Sequence, residues 1–190
     1  MTRMRLDLFD ASRNLDRGRS AVFEAVWYVC KVVFFLSALP WPSRLKCGLL
    51  RFFGAKIGAG VVIKPRVNIH MPWRLEIGDH SWVGEEVFLL NFAIVRIGSQ
   101  ACISQRAFLC TGNHDFRDPA FAFRCAPITV GDGAWVGAGV FVAPGVEIGD
   151  EAVVLAGSVV YEKLEPGVIY AGNPAIEKAR RWKDSQENLG

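Results

Sequence analysis

A chain of 190 residues, 51 % of them hydrophobic, suits one principal domain with a sizeable core. The net charge of +3 is too slight to point to nucleic acid. The five cysteines (Cys30, Cys47, Cys102, Cys110, Cys125) are odd in number and lack metal-ligand spacing, and no cleavable signal opens the chain, so free thiols in a reducing cytoplasm are expected.

Charge is unevenly spread. Residues 1–56 carry ten Lys/Arg against four Asp/Glu, whereas residues 57–173 carry eight against twelve. A basic, apolar N-terminal region is the arrangement of a segment resting on an anionic membrane surface, or of solvated charge around a packed helix pair. Residues 1–20 are polar without clear periodicity. Ala21 to Leu39 then reads as one helix of 19 residues, with Glu24, Lys31 and Tyr28 on one face. Its two charges make a membrane span costly, so a helix in the interface or against a neighbouring subunit fits better. Pro40-Trp41-Pro42 should end it. A second helix is expected with Ser43 as N-cap, with Leu45, Leu49 and Phe52 on one face, and with Gly54 as the stop.

From Ile57 an aliphatic residue recurs every six positions, often followed by Gly: Ile57, Ile63, Ile69; Ile77, Val83, Leu89; Ile97, Ile103, Leu109; Val130, Val136, Val142; Ile148, Val154, Val160. Period six fits neither an amphipathic helix nor a long strand. It marks a parallel β-helix in which each hexad supplies a short strand and a corner. Ile57, Ile77 and Ile97 are twenty apart, one eighteen-residue coil plus a two-residue bulge at the same corner. Val130 to Ile148 is eighteen, whereas Ile97 to Val130 is thirty-three, so a projecting loop of about fifteen residues is expected over 115–129. The domain reading is therefore an N-terminal helical segment (1–56), the β-helix (57–165) with its loop, and a C-terminal turn and tail (166–190).

Of the three histidines, His114 alone stands where an ordered coil gives way to the loop. A neutral imidazole there suits removal of a hydroxyl proton near pH 7, although loop histidines are often plain surface residues. His70 and His80, at a corner and within a hexad, read as structural.

The segments Asn113-His114-Asp115, Ala126-Pro127-Ile128-Thr129-Val130-Gly131-Asp132-Gly133-Ala134-Trp135-Val136-Gly137, Leu155-Ala156-Gly157-Ser158-Val159-Val160 and Tyr170-Ala171-Gly172-Asn173-Pro174-Ala175 resemble the hexapeptide-repeat acyltransferases. Phe53-Gly54-Ala55-Lys56-Ile57-Gly58 and Pro72-Trp73-Arg74-Leu75-Glu76-Ile77-Gly78 make the colanic-acid-biosynthesis O-acetyltransferases the nearest subgroup. The resemblance implies a left-handed parallel β-helix, an exception to the usual right-handed crossover. It also implies a homotrimer with sites between subunits, acetyl-CoA as acyl donor and no metal. His114 would be the catalytic base. Asn91, Asn113 and Asp115 would lie at the acceptor, and Trp135 beside the CoA groove. Small residues at Gly137, Ala138, Gly157 and Ser158 would let the pantetheine arm approach, and Asn173 and Pro174 would cover it. Asn91 has a plain alternative, an asparagine stacked at a coil corner. The sequence departs from the family at Tyr161-Glu162-Lys163 and at Ile176, where basic residues usually meet CoA phosphates; Lys163, Arg180 and Arg181 are the candidates to compensate.

The reading is thus an O-acetyltransferase acting on a sugar or lipid-linked saccharide in bacterial surface polysaccharide synthesis. It would be cytoplasmic, with peripheral membrane contact through residues 21–53. The alternatives are an acetyltransferase for a soluble thiogalactoside, antibiotic or amine, and a non-catalytic β-helix scaffold.

Overall fold

The computed structural model describes residues 3–10 and 15–182. Short strands wind into a parallel β-helix with three faces. Face A stacks β1 (Lys56–Ile57), β4 (Leu75–Ile77), β7 (Val95–Ile97), β12 (Ile128–Val130) and β15 (Glu147–Ile148). Face B stacks β2 (Val62–Ile63), β5 (Trp82–Val83), β8 (Cys102–Ile103), β13 (Trp135–Val136) and β16 (Val153–Val154). Face C stacks β3 (Asn68–Ile69), β6 (Phe88–Leu90), β9 (Phe108–Cys110), β14 (Phe141–Val142) and β17 (Val159–Val160). The hexad aliphatics lie in register, Ile57 on Ile77 on Ile97 on Val130 on Ile148, and all point into a buried core. The spacings of twenty, thirty-three and eighteen are the coil lengths read from the sequence.

The surplus residues of three successive coils leave at one corner, between faces C and A. Met71–Arg74 and Asn91–Ile94 form the two bulges, and the long insertion leaves above them. That insertion is not the loop expected over 115–129. It is a β-hairpin in which β10 (Gly112–His114) pairs antiparallel with β11 (Phe123–Cys125). Thr129 is already back on face A beside Arg96. The boundary was displaced because the hairpin is defined by pairing across the insertion, which a six-residue period cannot register.

The N-terminal region departs further from expectation. The helix over 21–39 is α1 (Ala21–Lys31), continued by one π-type turn (Val32–Leu36) and finished before Pro40. In α2 (Ser43–Phe52) the buried face is Lys46, Cys47 and Leu50, while Leu45 and Phe52 are exposed. Ser43 does not cap the helix: its hydroxyl accepts from the Ile63 N–H (3.0 Å) and faces the Ile63 carbonyl (3.3 Å). The first coil of a β-helix presents unpaired backbone groups along its lower edge, and these must be met. Lys46 Nζ donates to the carbonyls of Ile63 (3.3 Å) and Lys64 (2.9 Å). Arg51 donates to Ile57 (3.0 Å) and Gly58 (2.8 Å), and Trp27 Nε1 to Ile69 (3.2 Å) and His70 (3.1 Å). One donor set per face closes the lower end. Gly54 ends α2 with a left-handed φ of 94°, as expected.

At the other end, the region expected as turn and tail is a second hairpin. In it β18 (Val168–Ala171) extends face B and pairs with β19 (Ile176–Arg180). Residues 183–190 of the expected tail lie outside the described residues.

Candidate active site

His114 is the last residue of β10, held on a platform of stacked bulges. The platform is fixed by buried polar side chains one coil apart. Asn91 Oδ1 accepts from the Met71 N–H (2.8 Å), and Nδ2 donates to the carbonyls of Met71 (2.6 Å) and Arg74 (3.2 Å). Thr111 Oγ1 donates to the Leu90 carbonyl (2.9 Å) and accepts from the Ala93 N–H (3.0 Å). Asn91 is fully buried, with its amide turned into the wall of the coil. Three backbone groups exposed by the bulge consume the amide, which is the arrangement of the corner-stacking alternative.

Above this platform an aromatic box surrounds the imidazole. Phe121 stacks on it (4.2 Å, 7°), while Phe123 (5.4 Å) and Phe9 (5.3 Å) meet it edge-on. His114 Nδ1 lies 2.8 Å from the Phe121 carbonyl oxygen. A carbonyl can only accept, so Nδ1 is the donor, and in the neutral ring the lone pair lies on Nε2. Phe121 itself has a left-handed φ of 53°, uncommon for a bulky residue. That conformation is what turns its carbonyl toward the ring. A cavity of about 390 Å³ opens beside His114, lined by Phe9, Leu15, Arg17, Leu90, Phe92 and Phe123 among others. Phe9 arrives from the N-terminal strand of chain, which is tied to the hairpin by the Arg5 N–H donating to the Pro119 carbonyl (2.8 Å).

The two neighbours of His114 behave differently. Asn113 is exposed, its Oδ1 accepting the His114 N–H (2.7 Å). Asp115 pairs with Arg124 across the hairpin and accepts the Arg117 N–H (3.0 Å). It latches the loop instead of facing an acceptor, because its position just beyond β10 sets it against the returning arm.

The positions expected at CoA fall on more than one edge. Gly137, Ala138, Gly157 and Ser158 share the corner between faces B and C, and the turn bearing Asn173 and Pro174 stacks on top of them. The lower coils of this edge carry a charged ladder, Glu86 pairing with Arg66 (3.1 Å) and Arg106 (2.8 Å). These three have left-handed φ, and in the next two coils the same position is Gly139 and then Gly157. A Cβ at either glycine would meet nothing within 4 Å, so the upper edge is smooth and open. Gly137 is required for another reason: a Cβ there would lie 2.6 Å from the Val154 carbonyl oxygen of the next coil. Ser158 is buried and its hydroxyl bridges Leu155 O (2.6 Å) and the Gly172 N–H (3.1 Å), locking the final turn instead of lining a groove.

Trp135 is half exposed on face B and donates to Ser104 Oγ (2.8 Å). Lys163 lies at the corner between faces C and A, near Glu147 (3.8 Å). Arg180 is exposed on β19. Arg181 is committed elsewhere, donating to the carbonyls of Gly133 (2.7 Å) and Glu151 (3.1 Å) and pairing with the Glu151 carboxylate (2.9 Å). It fastens the C-terminal hairpin, so it is not a free phosphate ligand.

Sequence reasoning missed Phe9, Arg17, Phe92, Phe121 and Phe123 around His114, and Gly139 on the open edge. Only Gly139 carried a signal, its place eighteen residues before Gly157. His80 occupies a coil corner with a left-handed φ of 56°. Among the described residues no group of three His, Cys, Asp or Glu is placed to hold a metal ion.

Comparison with known proteins accords with this geometry. The bacterial transferase hexapeptide (six repeats) family matches residues 127–162. An Escherichia coli (strain K12) protein named colanic acid biosynthesis acetyltransferase WcaF is 42 % identical over 160 residues, covering 84 % of this chain and 88 % of its own length. Galactoside O-acetyltransferase of the same strain is 30 % identical over 130 residues, 66 % of this chain and 64 % of its own. A hexapeptide-repeat acetyltransferase of Vibrio cholerae, solved with acetyl coenzyme A, superposes with a TM-score of 0.79 at 25 % identity, covering 87 % of this chain and 92 % of that one. Coil register, hairpin and sequence likeness agree: the chain belongs to the hexapeptide-repeat acetyltransferases.

Proposed function

We propose that this protein transfers the acetyl group of acetyl-CoA to a sugar hydroxyl in the synthesis of a bacterial surface polysaccharide, with His114 as general base. The observation that carries the reading is the Nδ1 contact to the Phe121 carbonyl. It leaves Nε2 as the acceptor of the hydroxyl proton. As the proton moves, the sugar oxygen attacks the thioester carbonyl and a tetrahedral intermediate forms. Its collapse breaks the C–S bond, and the proton on Nε2 passes to the departing CoA thiolate. The Phe121 carbonyl stabilises the transient imidazolium through the same hydrogen bond. The aromatic walls suit the flat face of a sugar ring.

The donor would lie along the open edge of Gly139 and Gly157, under the Asn173–Pro174 turn. That edge and the His114 hairpin stand at different corners of the prism, with face C between them. A site joining the two from neighbouring protomers supports a homotrimer. Peripheral contact with the cytoplasmic membrane face is supported by α1, whose outward Val22, Val26 and Val29 are exposed with no charge among them. No described helix is long and apolar enough to cross a membrane.

A soluble small-molecule acceptor is the second reading. It is favoured by the capping work of Ser43, Lys46 and Arg51, which gives the N-terminal helices a purpose without lipid.

The test is acetyl-CoA turnover by wild type and His114→Ala against neutral, nucleotide-linked and lipid-linked sugars. A general base predicts a loss of about 10²–10⁴-fold in kcat with acetyl-CoA binding retained. Equal turnover by the variant would remove His114 from the mechanism.

A further inference from the structure

Beside α1 lies a second cavity, of about 280 Å³, lined by Arg17, Glu24, Tyr28, Lys31, His70 and Trp73 among others. Lys31 is only 7 % exposed. Its ammonium sits over the Tyr28 ring at 5.2 Å and, among the described residues, has no hydrogen-bond acceptor or carboxylate. The one acid in the cavity, Glu24, is already taken by Arg17, whose Nε lies 2.8 and 2.7 Å from its two oxygens. The cavity therefore keeps an uncompensated positive charge. The Lys31 stem is buried while its ammonium still opens onto the cavity, where it is partly desolvated and, among the described residues, has no acceptor. Burial depresses the Lys31 pKa. An anion in the cavity would remove that penalty.

The cavity is not isolated from His114. Arg17 lines both cavities. The His70 ring, in the wall of one, packs at 4.5 Å on Phe92, in the wall of the other. The two cavities thus adjoin across a common wall formed by Arg17 and the His70–Phe92 pair.

We infer that the Lys31–Arg17–His70 pocket is an anion subsite for a phosphate or diphosphate group carried by the acceptor sugar. This rests on the acetyltransferase reading for the sugar end, but the anion end is testable without turnover. The ligand chemistry is that of a glycosyl phosphate ester, whether its carrier is a nucleotide or a lipid. Lys31 Nζ would donate to the phosphate oxygens, with the Arg17–Glu24 pair and the His70 ring forming the wall around them.

The full chain, saturated with CoA so that the donor site is filled, is titrated with inorganic pyrophosphate by calorimetry. Wild type should bind. Lys31→Met should bind about tenfold or more weakly, and Lys31→Arg should recover most of the loss. Melting temperatures report whether the fold survives, and Lys31→Gln, neutral but polar and expected to bind as weakly as Lys31→Met, carries the test if Lys31→Met does not fold. No binding by wild type, or equal binding by Lys31→Met, overturns the subsite. In kinetics, Lys31→Met should raise the KM of a sugar 1-phosphate, a nucleotide sugar or a polyprenyl diphosphate sugar, leaving kcat and the KM of the matching neutral glycoside unchanged. The phosphate ester with the lowest wild-type KM identifies the carrier. Equal effects on neutral and phosphorylated acceptors would refute it. Pyrophosphate binding without acetyl transfer to any acceptor would instead refute the acetyltransferase reading alone.

Discussion

Asn91 separates two accounts of this site, because one puts the residue at the acceptor and the other inside the wall. Asn91→Ala removes three buried hydrogen bonds at once. The Met71 N–H loses its acceptor, which costs about 1–3 kcal/mol for a buried donor. The Met71 and Arg74 carbonyls each lose a donor, a smaller loss because a carbonyl has a second lone pair. Together with the void left by the amide, a net destabilisation of about 3 kcal/mol is reasonable. For a domain of this size each kcal/mol shifts Tm by about 2–4 °C, so a fall of about 6–12 °C is expected in far-UV circular dichroism. Asn91→Asp should be worse, since it turns a carboxylate oxygen toward two carbonyls. The acceptor KM of the folded enzyme below its transition should change little. A variant that melts within about 2 °C of wild type while its acceptor KM rises tenfold would refute the argument and restore the acceptor role.

Arg180 and Arg181 should behave oppositely. Arg181→Ala should lose about 1 kcal/mol of stability with the acetyl-CoA KM unchanged, because its bonds are to the coil; Arg180→Ala should raise that KM and leave Tm in place. Equal effects from both would contradict the assignment. Burial first, then the Lys31 and Arg17 charges, lower the His70 pKa from 6.5 to about 4. The unfolded chain therefore binds a proton that the folded one refuses, and stability is lost as pH falls from about 6.5 toward about 4. Discounted for the partial exposure of the ring, the loss is about 1–2 kcal/mol. Tm measured against pH should flatten across that window in His70→Phe, and an unchanged slope would show that His70 is not the group responsible.

The coil frame was legible because each hexad is a local decision. An inward aliphatic every six residues fixes register without reference to distant chain, so Ile97, Val130 and Ile148 align as their spacings say. What the period could not convey was the use of polar residues. A helical wheel puts Lys46 outward, since it sees charge and not the unpaired carbonyls of Ile63 and Lys64 beneath the helix. Asp115 next to His114 looked like acceptor chemistry, but its partner Arg124 is on the other arm of a hairpin that only tertiary pairing reveals. His114 itself was legible because an insertion breaking a regular coil marks its own location.

The two buried lysines of the N-terminal helices make the sharpest internal comparison. Lys46 is fully buried and donates to two backbone carbonyls that the first coil leaves open, so its charge completes the fold. Lys31 is nearly as deep, and α1 packs against the same end of the β-helix through Trp27, yet Lys31 reaches no carbonyl among the described residues. A lysine retained for stability alone would have been drawn to a backbone oxygen, as Lys46 is. Capping by α1 needs only the Trp27 indole, which occupies both carbonyls at that corner, Ile69 and His70. The ammonium of Lys31 is therefore surplus to the cap, and it lines a cavity that shares Arg17 with the one beside His114. Trp27 serves both as cap and as cavity wall, but the charge is carried by Lys31 alone, so anion binding can be altered at Lys31 without touching the capping bonds.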